Sequence, residues 1–325
     1  MRLKHFAQSF VVVMLIPWLF CRGLESQILK DRPQPHIALE TEPIEIEPSV
    51  LTEEIQIPVL LGDGQIEEMS LESYLCGVVL GEMPASFAPE ALKAQAVVAR
   101  TYTLKRHTNN PKHDCNAVCT DPACCQAYCT QEDYLAAGHT QQDLQKVAQA
   151  VEQTCPQVLT YEGELIDATY FSCSGGRTEA AVAVWGRNVP YLQSVDSPGE
   201  ESARVYLQEE IFDRDTLSAM LGVCLETPPE SWFSGITYTD GGGVETATVG
   251  GTVFSGTQLR ALLGLRSTAF TVTAGEDSIT VTTRGYGHRV GMSQYGAQAM
   301  AESGSTYREI LSHYYPGTTL ENRTA

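Results

Sequence analysis

The chain has 325 residues, 43 % of them apolar and 19 % charged, which excludes disorder throughout and a polytopic membrane protein. Its 40 acidic side chains against 21 basic ones leave a net charge of −19, so no nucleic acid partner is expected, since neutralising phosphates needs clustered Lys and Arg. At roughly 100–200 residues per domain, the length suits one large domain or two smaller ones.

The chain opens with Arg2 and Lys4, and Phe6 to Cys21 then carries no charge. Two readings stand for residues 1–24. One is a cleaved signal, but Leu19 to Gly23 offer no Ala-x-Ala site. The other is a transmembrane anchor with its basic end in the cytoplasm and the rest of the chain outside, and we favour it. Residues 25–54 carry Pro33, Pro35, Pro43 and Pro48 among many Glu. This composition predicts an extended acidic tether.

A folded domain is expected over 55–320. Ile55 to Leu61 and Ile66 to Met69, around Gly62-Asp63-Gly64, predict a hairpin. Ser70 is a good N-cap for a helix whose apolar face is Leu71, Tyr74, Leu75, Val78 and Val79. Gly81 and Pro84 are expected to end it. Pro89 opens a second, Ala-rich helix running to about Arg106. A loop bearing Cys and His follows, from about His107 to Cys129. Thr140 and Asp143 form a capping box for a third helix. Val158 to Tyr161 and Leu165 to Ser172 predict a second hairpin. After Pro228-Pro229 the texture is β, at Ile236–Thr239, Val244–Val249, Phe270–Thr273 and Ser278–Thr283, with a short helix near Thr257–Leu263. Helices return at about Gln294–Ala301 and Tyr307–Tyr315. The fold class is α+β, with helices around the Glu82 motif combined with antiparallel hairpins.

Three stretches stand out. Tyr74 to Pro84 ends in Gly81-Glu82-Met83-Pro84 and continues through Glu90 to Tyr102. Ser172-Cys173-Ser174-Gly175-Gly176-Arg177-Thr178-Glu179 is followed by Val184-Trp185-Gly186 and Pro190-Tyr191-Leu192. Gly285-Tyr286-Gly287-His288-Arg289-Val290-Gly291-Met292-Ser293-Gln294-Tyr295-Gly296-Ala297 closes with His313-Tyr314-Tyr315-Pro316-Gly317. In this order they resemble the stage II sporulation protein D family, over about residues 55 to 320. The resemblance implies a membrane-anchored lytic transglycosylase that cleaves peptidoglycan during engulfment in endospore-forming bacteria.

The resemblance makes Glu82 the catalytic acid. Taken alone, a Glu before a helix-breaking Pro reads as a surface side chain. Its chemistry is nevertheless suitable. Glycoside cleavage needs an acid on the leaving oxygen. A helix C-terminus and the apolar neighbours Leu80 and Met83 both favour the protonated carboxyl. One carboxylate suffices when the C6 hydroxyl of N-acetylmuramic acid attacks its own C1 to give a 1,6-anhydro product. Asp167, Glu179, Asp196 and Glu200 remain as second carboxylates without a place.

His113, Cys115, Cys119, Cys124, Cys125 and Cys129 fall within 17 residues. The resemblance implies a structural Zn2+ on His113, Cys119, Cys124 and Cys125, with Cys124 standing where clostridial relatives have His. Thiolate and imidazole both ligate zinc, and four protein ligands leave no open position for water. Disulfides are the alternative, since the exterior permits them. Cys115 and Cys129 are left over as a candidate disulfide. Cys76, Cys155, Cys173 and Cys224 read as buried small hydrophobes.

By the resemblance, the Gly-rich loops border the cleft, which makes Ser174, Arg177, His288 and Gln294 candidate glycan contacts. The alternative for His288 is a hydrogen-bonded structural histidine. Tyr102, Trp185 and Tyr286 are candidates to stack on sugars, although aromatics are more often core. The implied partners are peptide-stripped glycan strands, a sporulation amidase and its membrane-bound companion. A second function also fits the family, a non-catalytic enhancer of a cell-wall amidase. A zinc hydrolase is disfavoured by the closed ligand set.

Overall fold

The structure, a computed structural model, describes residues 54–108 and 110–323. The expected anchor, 1–24, and all but the last residue of the tether, 25–54, lie outside the described residues. Among the described residues no helix is long and apolar enough to cross a membrane.

Strands β1 (Gln56–Leu60) and β2 (Ile66–Ser70) form the expected antiparallel hairpin, with Val59 opposite Glu67. The Ser70 hydroxyl accepts from the Ser73 amide and starts α1 (Leu71–Glu82). Its apolar positions, from Leu71 to Leu80, are buried as the spacing predicts. Helix α1 does not stop at Gly81; it runs one residue further and ends on Glu82 itself. Helix α2 (Pro89–Thr108) is the central rod, buried from Ala94 to Thr103 apart from its ends. Its Arg100 guanidinium is buried. It donates to Glu72 of α1 and to the carbonyls of Val151, Thr154 and Gln157. A buried cation is tolerable only when paired and hydrogen-bonded in this way.

Strand β3 (Val118–Cys119) adds to β1 in parallel and carries one of the expected metal ligands into the hairpin sheet. A short α3 (Gln131–Ala136) precedes α4 (Gln141–Gln153), whose Thr140–Asp143 capping box forms as expected. The second hairpin departs from expectation. Strand β4 (Gln157–Tyr161) pairs only with β5 (Glu164–Leu165) and with the C-terminal β14 (Thr319–Asn322). Residues Tyr170–Phe171 form a separate β6, paired in parallel with β13 (Met292–Ser293). This long-range pair brings the Gly-rich stretch that ends at Gly291 beside the Ser-Gly-Gly stretch. Helix α5 (Ala181–Trp185) follows the latter, and α8 (Gln294–Glu302) and α9 (Tyr307–Tyr314) follow the former.

Between them runs a β-rich section with its own apolar cluster, including Trp232, Leu217, Leu259, Val249 and Val281. It comprises β7 (Leu207–Asp213), α6 (Arg214–Leu221), β8 (Phe233–Tyr238), β9 (Val244–Val249), β10 (Thr252–Ser255), α7 (Gly256–Leu263), β11 (Phe270–Ala274) and β12 (Ser278–Arg284). The sheets run β10-β9-β8 and β11-β12-β7, all antiparallel. The α+β class stands.

The described cysteines are all free, so Cys115 and Cys129 are not joined. Of the four read as buried hydrophobes only Cys173 is buried. Cys76 is half-buried, and Cys155 and Cys224 are exposed.

Candidate active site and metal centre

Glu82 owes its surroundings to two glycines. Gly77 and Gly81 lie four residues apart on one face of α1. A Cβ on Gly77 would overlap the Tyr128 ring, and one on Gly81 would stand 2.9 Å from the Tyr128 backbone nitrogen. The loop at 126–128 therefore lies directly on α1, and the Cys129 amide donates to the Gly77 carbonyl. From this position the Ala127 amide donates to Glu82 Oε1 at 2.6 Å.

The rest of the pocket is neutral. The Tyr170 hydroxyl approaches Glu82 from β6 while donating to Gln126 Oε1 at 3.2 Å, and the Gln294 amide approaches it from the first turn of α8. Gln294 is buried and its Nε2 has no hydrogen-bond partner, which leaves it free to turn to Glu82. Burial raises the Glu82 pKa above the ordinary carboxylate value, and the Ala127 amide, with the nearby Tyr170 hydroxyl and Gln294 amide, opposes that rise. Tyr170 is itself pushed well above the usual phenol range, first by burial and then by the Glu82 charge.

The other carboxylates are committed elsewhere. Asp167 faces Lys105 and Arg106 at 3.4 and 3.7 Å. Glu179 forms a buried ion pair with Arg289 at 3.2 Å. Asp196 is exposed and paired with Arg177. Glu200 is buried and accepts from the Ser174, Ser197 and Ser293 hydroxyls and from the Ser174 and Gly175 amides. Glu82 alone combines partial exposure with a neutral shell.

The expected glycan contacts separate into groups. Gln294 stands with Glu82. Ser174 is fully buried and its hydroxyl is spent on Glu200, so it holds the loop and offers no face to a ligand. Arg177 is exposed and reaches Ser194 and Asp196. His288 lies on the other side of β6, its ring against Phe171 and Trp185 at 5.6 and 5.3 Å between centroids. Its Nδ1 accepts from the Val290 amide at 3.1 Å, and the Tyr170 carbonyl is within hydrogen-bonding reach of the ring. Burial, then the Arg260 charge, push it down to about 4, so it is neutral at pH 7. These are the attributes of the structural histidine. Trp185 and Tyr286 are exposed aromatics, with Arg266 over the Tyr286 ring. Tyr102 is buried on α2, beneath Arg106 and beside Cys125. Tyr170, Gln126 and Ala127 carry no motif that marks them in the sequence.

The four expected ligands do come together. The ligand atoms of His113, Cys119, Cys124 and Cys125 all lie within 4.8 Å of one another. His113 Nε2 is 3.3 Å from Cys124 Sγ and 3.7 Å from Cys125 Sγ. A tetrahedral zinc with Zn–S of about 2.3 Å and Zn–N of about 2.0 Å has N···S edges of roughly 3.5 Å, so the donors fit. Burial and the neighbouring Cys125 and Cys124 hold the Cys119 thiol up at about 12. Three thiols so close cannot all ionise without a cation among them.

The family model described as "Stage II sporulation protein" matches residues 62–161, which contain Glu82 and all four candidate ligands. Stage II sporulation protein D of Bacillus subtilis (strain 168) is 39 % identical over 277 residues, 83 % of this chain and 80 % of its own. The chain belongs to the stage II sporulation protein D family. The Bacillus amyloliquefaciens stage II sporulation protein D is 35 % identical over 322 residues, covering 95 % of this chain and 92 % of its own. A protein named amidase enhancer, also from Bacillus subtilis, is 34 % identical over 305 residues, of which the chain spans 40 % of its length.

Proposed function

We propose that the chain acts on the cell wall during sporulation as a peptidoglycan lytic transglycosylase, with Glu82 as its single acid and base. The observation that carries this reading is the setting of Glu82, a half-buried carboxyl with raised proton affinity, neutral neighbours and no second carboxylate among the groups that act on it. Protonated Glu82 gives its proton to the glycosidic oxygen as the bond from C1 of N-acetylmuramic acid to that oxygen breaks. The resulting carboxylate then takes the proton of the C6 hydroxyl as O6 bonds to C1. The proton count on Glu82 is restored and water is not consumed. The Ala127 amide keeps the carboxyl oriented through both steps.

His113, Cys119, Cys124 and Cys125 would hold a structural zinc, which would fix the loop that carries Ala127. The apolar run Phe6–Cys21 would anchor the chain in the membrane, with 55–320 outside it. The substrate would be glycan already stripped of stem peptides, and the partners a sporulation amidase and its membrane-bound companion. A second reading, enhancement of a cell-wall amidase without glycan cleavage, is favoured by the likeness to the amidase enhancer.

Mass spectrometry of denuded glycan treated with the purified protein in H2-18O separates the two. Cleavage should yield 1,6-anhydro ends free of 18O. Intact glycan, with faster release of peptides only when an amidase is added, would favour the second reading.

A further inference from the structure

Gln126 is almost fully buried, and its amide is spent inside the protein. Its Oε1 accepts from the Tyr170 hydroxyl at 3.2 Å, and its Nε2 donates to Thr103 Oγ1 at 2.9 Å. Tyr170 in turn faces Glu82. A phenol has one proton to donate, and here two acceptors compete for it, Gln126 Oε1 and the Glu82 carboxylate.

We propose that Gln126 is a positioning residue that sets the proton affinity of Glu82 through the Tyr170 hydroxyl. The proposal deepens the acid–base reading of Glu82 and rests on it for its significance. While Glu82 is protonated, the Tyr170 proton lies on Gln126 Oε1 and leaves the phenol oxygen as an acceptor toward the carboxyl. Once Glu82 has released its proton, the same O–H turns to the carboxylate. The phenol keeps its proton throughout and only rotates, so nothing is transferred to or from it. By offering that proton another resting place, Gln126 weakens the bond that stabilises the charged Glu82 and so favours the acid form. Thr103 fixes the amide orientation, since a flipped amide would turn an N–H toward the phenol.

The groups facing Glu82 from each packed element are the Ala127 amide on the 126–128 loop, Tyr170 on β6 and Gln294 on α8. Tyr74 on α1 and Tyr102 on α2 stand behind Tyr170. None of these groups is a charged side chain.

The test is a 13C NMR titration of the full chain labelled at Glu Cδ, with the Glu82 signal assigned by its loss in Glu82→Gln. Gln126→Met should lower the Glu82 pKa, and Tyr170→Phe should raise it, each by roughly half to one pH unit. The double variant should titrate like Tyr170→Phe alone, because Gln126 acts only through the phenol. If Gln126→Met does not fold, Gln126→Asn, which withdraws the amide by one methylene, should shift the titration downward too. An unchanged pKa in the Gln126 variants, shifts of one sign in both single variants, or a further shift in the double variant would overturn the proposal. The titration needs no glycan, so it stands or falls separately from the transglycosylase reading.

Discussion

Glu82 is held where an ionised carboxyl is disfavoured, and this has a consequence for stability. Its folded pKa lies above the ordinary carboxylate value, with burial the leading cause. Between the unfolded and folded values the native state holds more of the proton than the unfolded chain does. Stability from this group is therefore fully present below about 4.5 and is lost as pH rises through the folded value. Glu82→Gln keeps the oxygen that accepts from Ala127 and removes the charge. Its melting temperature should exceed that of the parent at pH 7 and match it at pH 4, as calorimetry at the two values will show. A buried carboxyl that lowers stability at neutral pH fits the usual trade-off between stability and function. At this scale the sequence was partly legible. The Glu-Met-Pro motif marked Glu82, and the motif after Gly287 marked Gln294. Tyr170 and Gln126 carry no local signal, because their roles depend on a two-residue strand pairing across 122 residues (292 − 170) and on a loop folded against α1.

Helix α1 shows how an element can be read correctly and its glycines misread. Spacing gave the helix, its cap and its buried face. Gly81 looked like a stop, yet it is helical and bare so that the backbone of Ala127 and Tyr128 can reach Glu82. Gly81→Ala gains up to about 1 kcal/mol of helix propensity. Against this, a Cβ 2.9 Å from backbone must displace the loop, and overpacking of that kind costs roughly 1–3 kcal/mol. The variant should lose stability and should lose glycan cleavage more steeply than stability, since the displaced loop carries the Ala127 donor. Thermal melts and cleavage rates on the same preparation check both. Strand β7 escaped notice because its inward positions, Gln208 and Glu210, are polar while Leu207 and Ile211 face solvent. Strand β14 exists through its pairing with β4, beyond a Pro-Gly stop that reads as the end of structure.

Over the whole molecule, two candidate metal ligands and the amide that donates to Glu82 lie at the two ends of one short segment, 124–127. Cys124 and Cys125 are ligand candidates, Gln126 contacts Tyr170, and Ala127 holds Glu82. Behind them, buried Glu200 gathers the Ser174 loop, Ser197 and the N-cap of α8, and so fixes Gln294 from the opposite side. A closed four-ligand zinc contributes folding free energy and leaves no place for catalytic water. Protein purified without an affinity tag should contain one zinc per chain by elemental analysis. Cys119→Ser should lower melting temperature and soluble yield more than the rate per folded molecule at low temperature. In the proposed reaction Glu82 alone supplies and recovers the proton of glycan cleavage. Its most direct test is to follow 1,6-anhydro ends by mass spectrometry on denuded glycan with the parent chain and with Glu82→Gln side by side. The parent should form anhydro ends, and the folded variant should form them about 10²–10⁴-fold more slowly. Anhydro ends formed by folded Glu82→Gln at the parent's rate would contradict it.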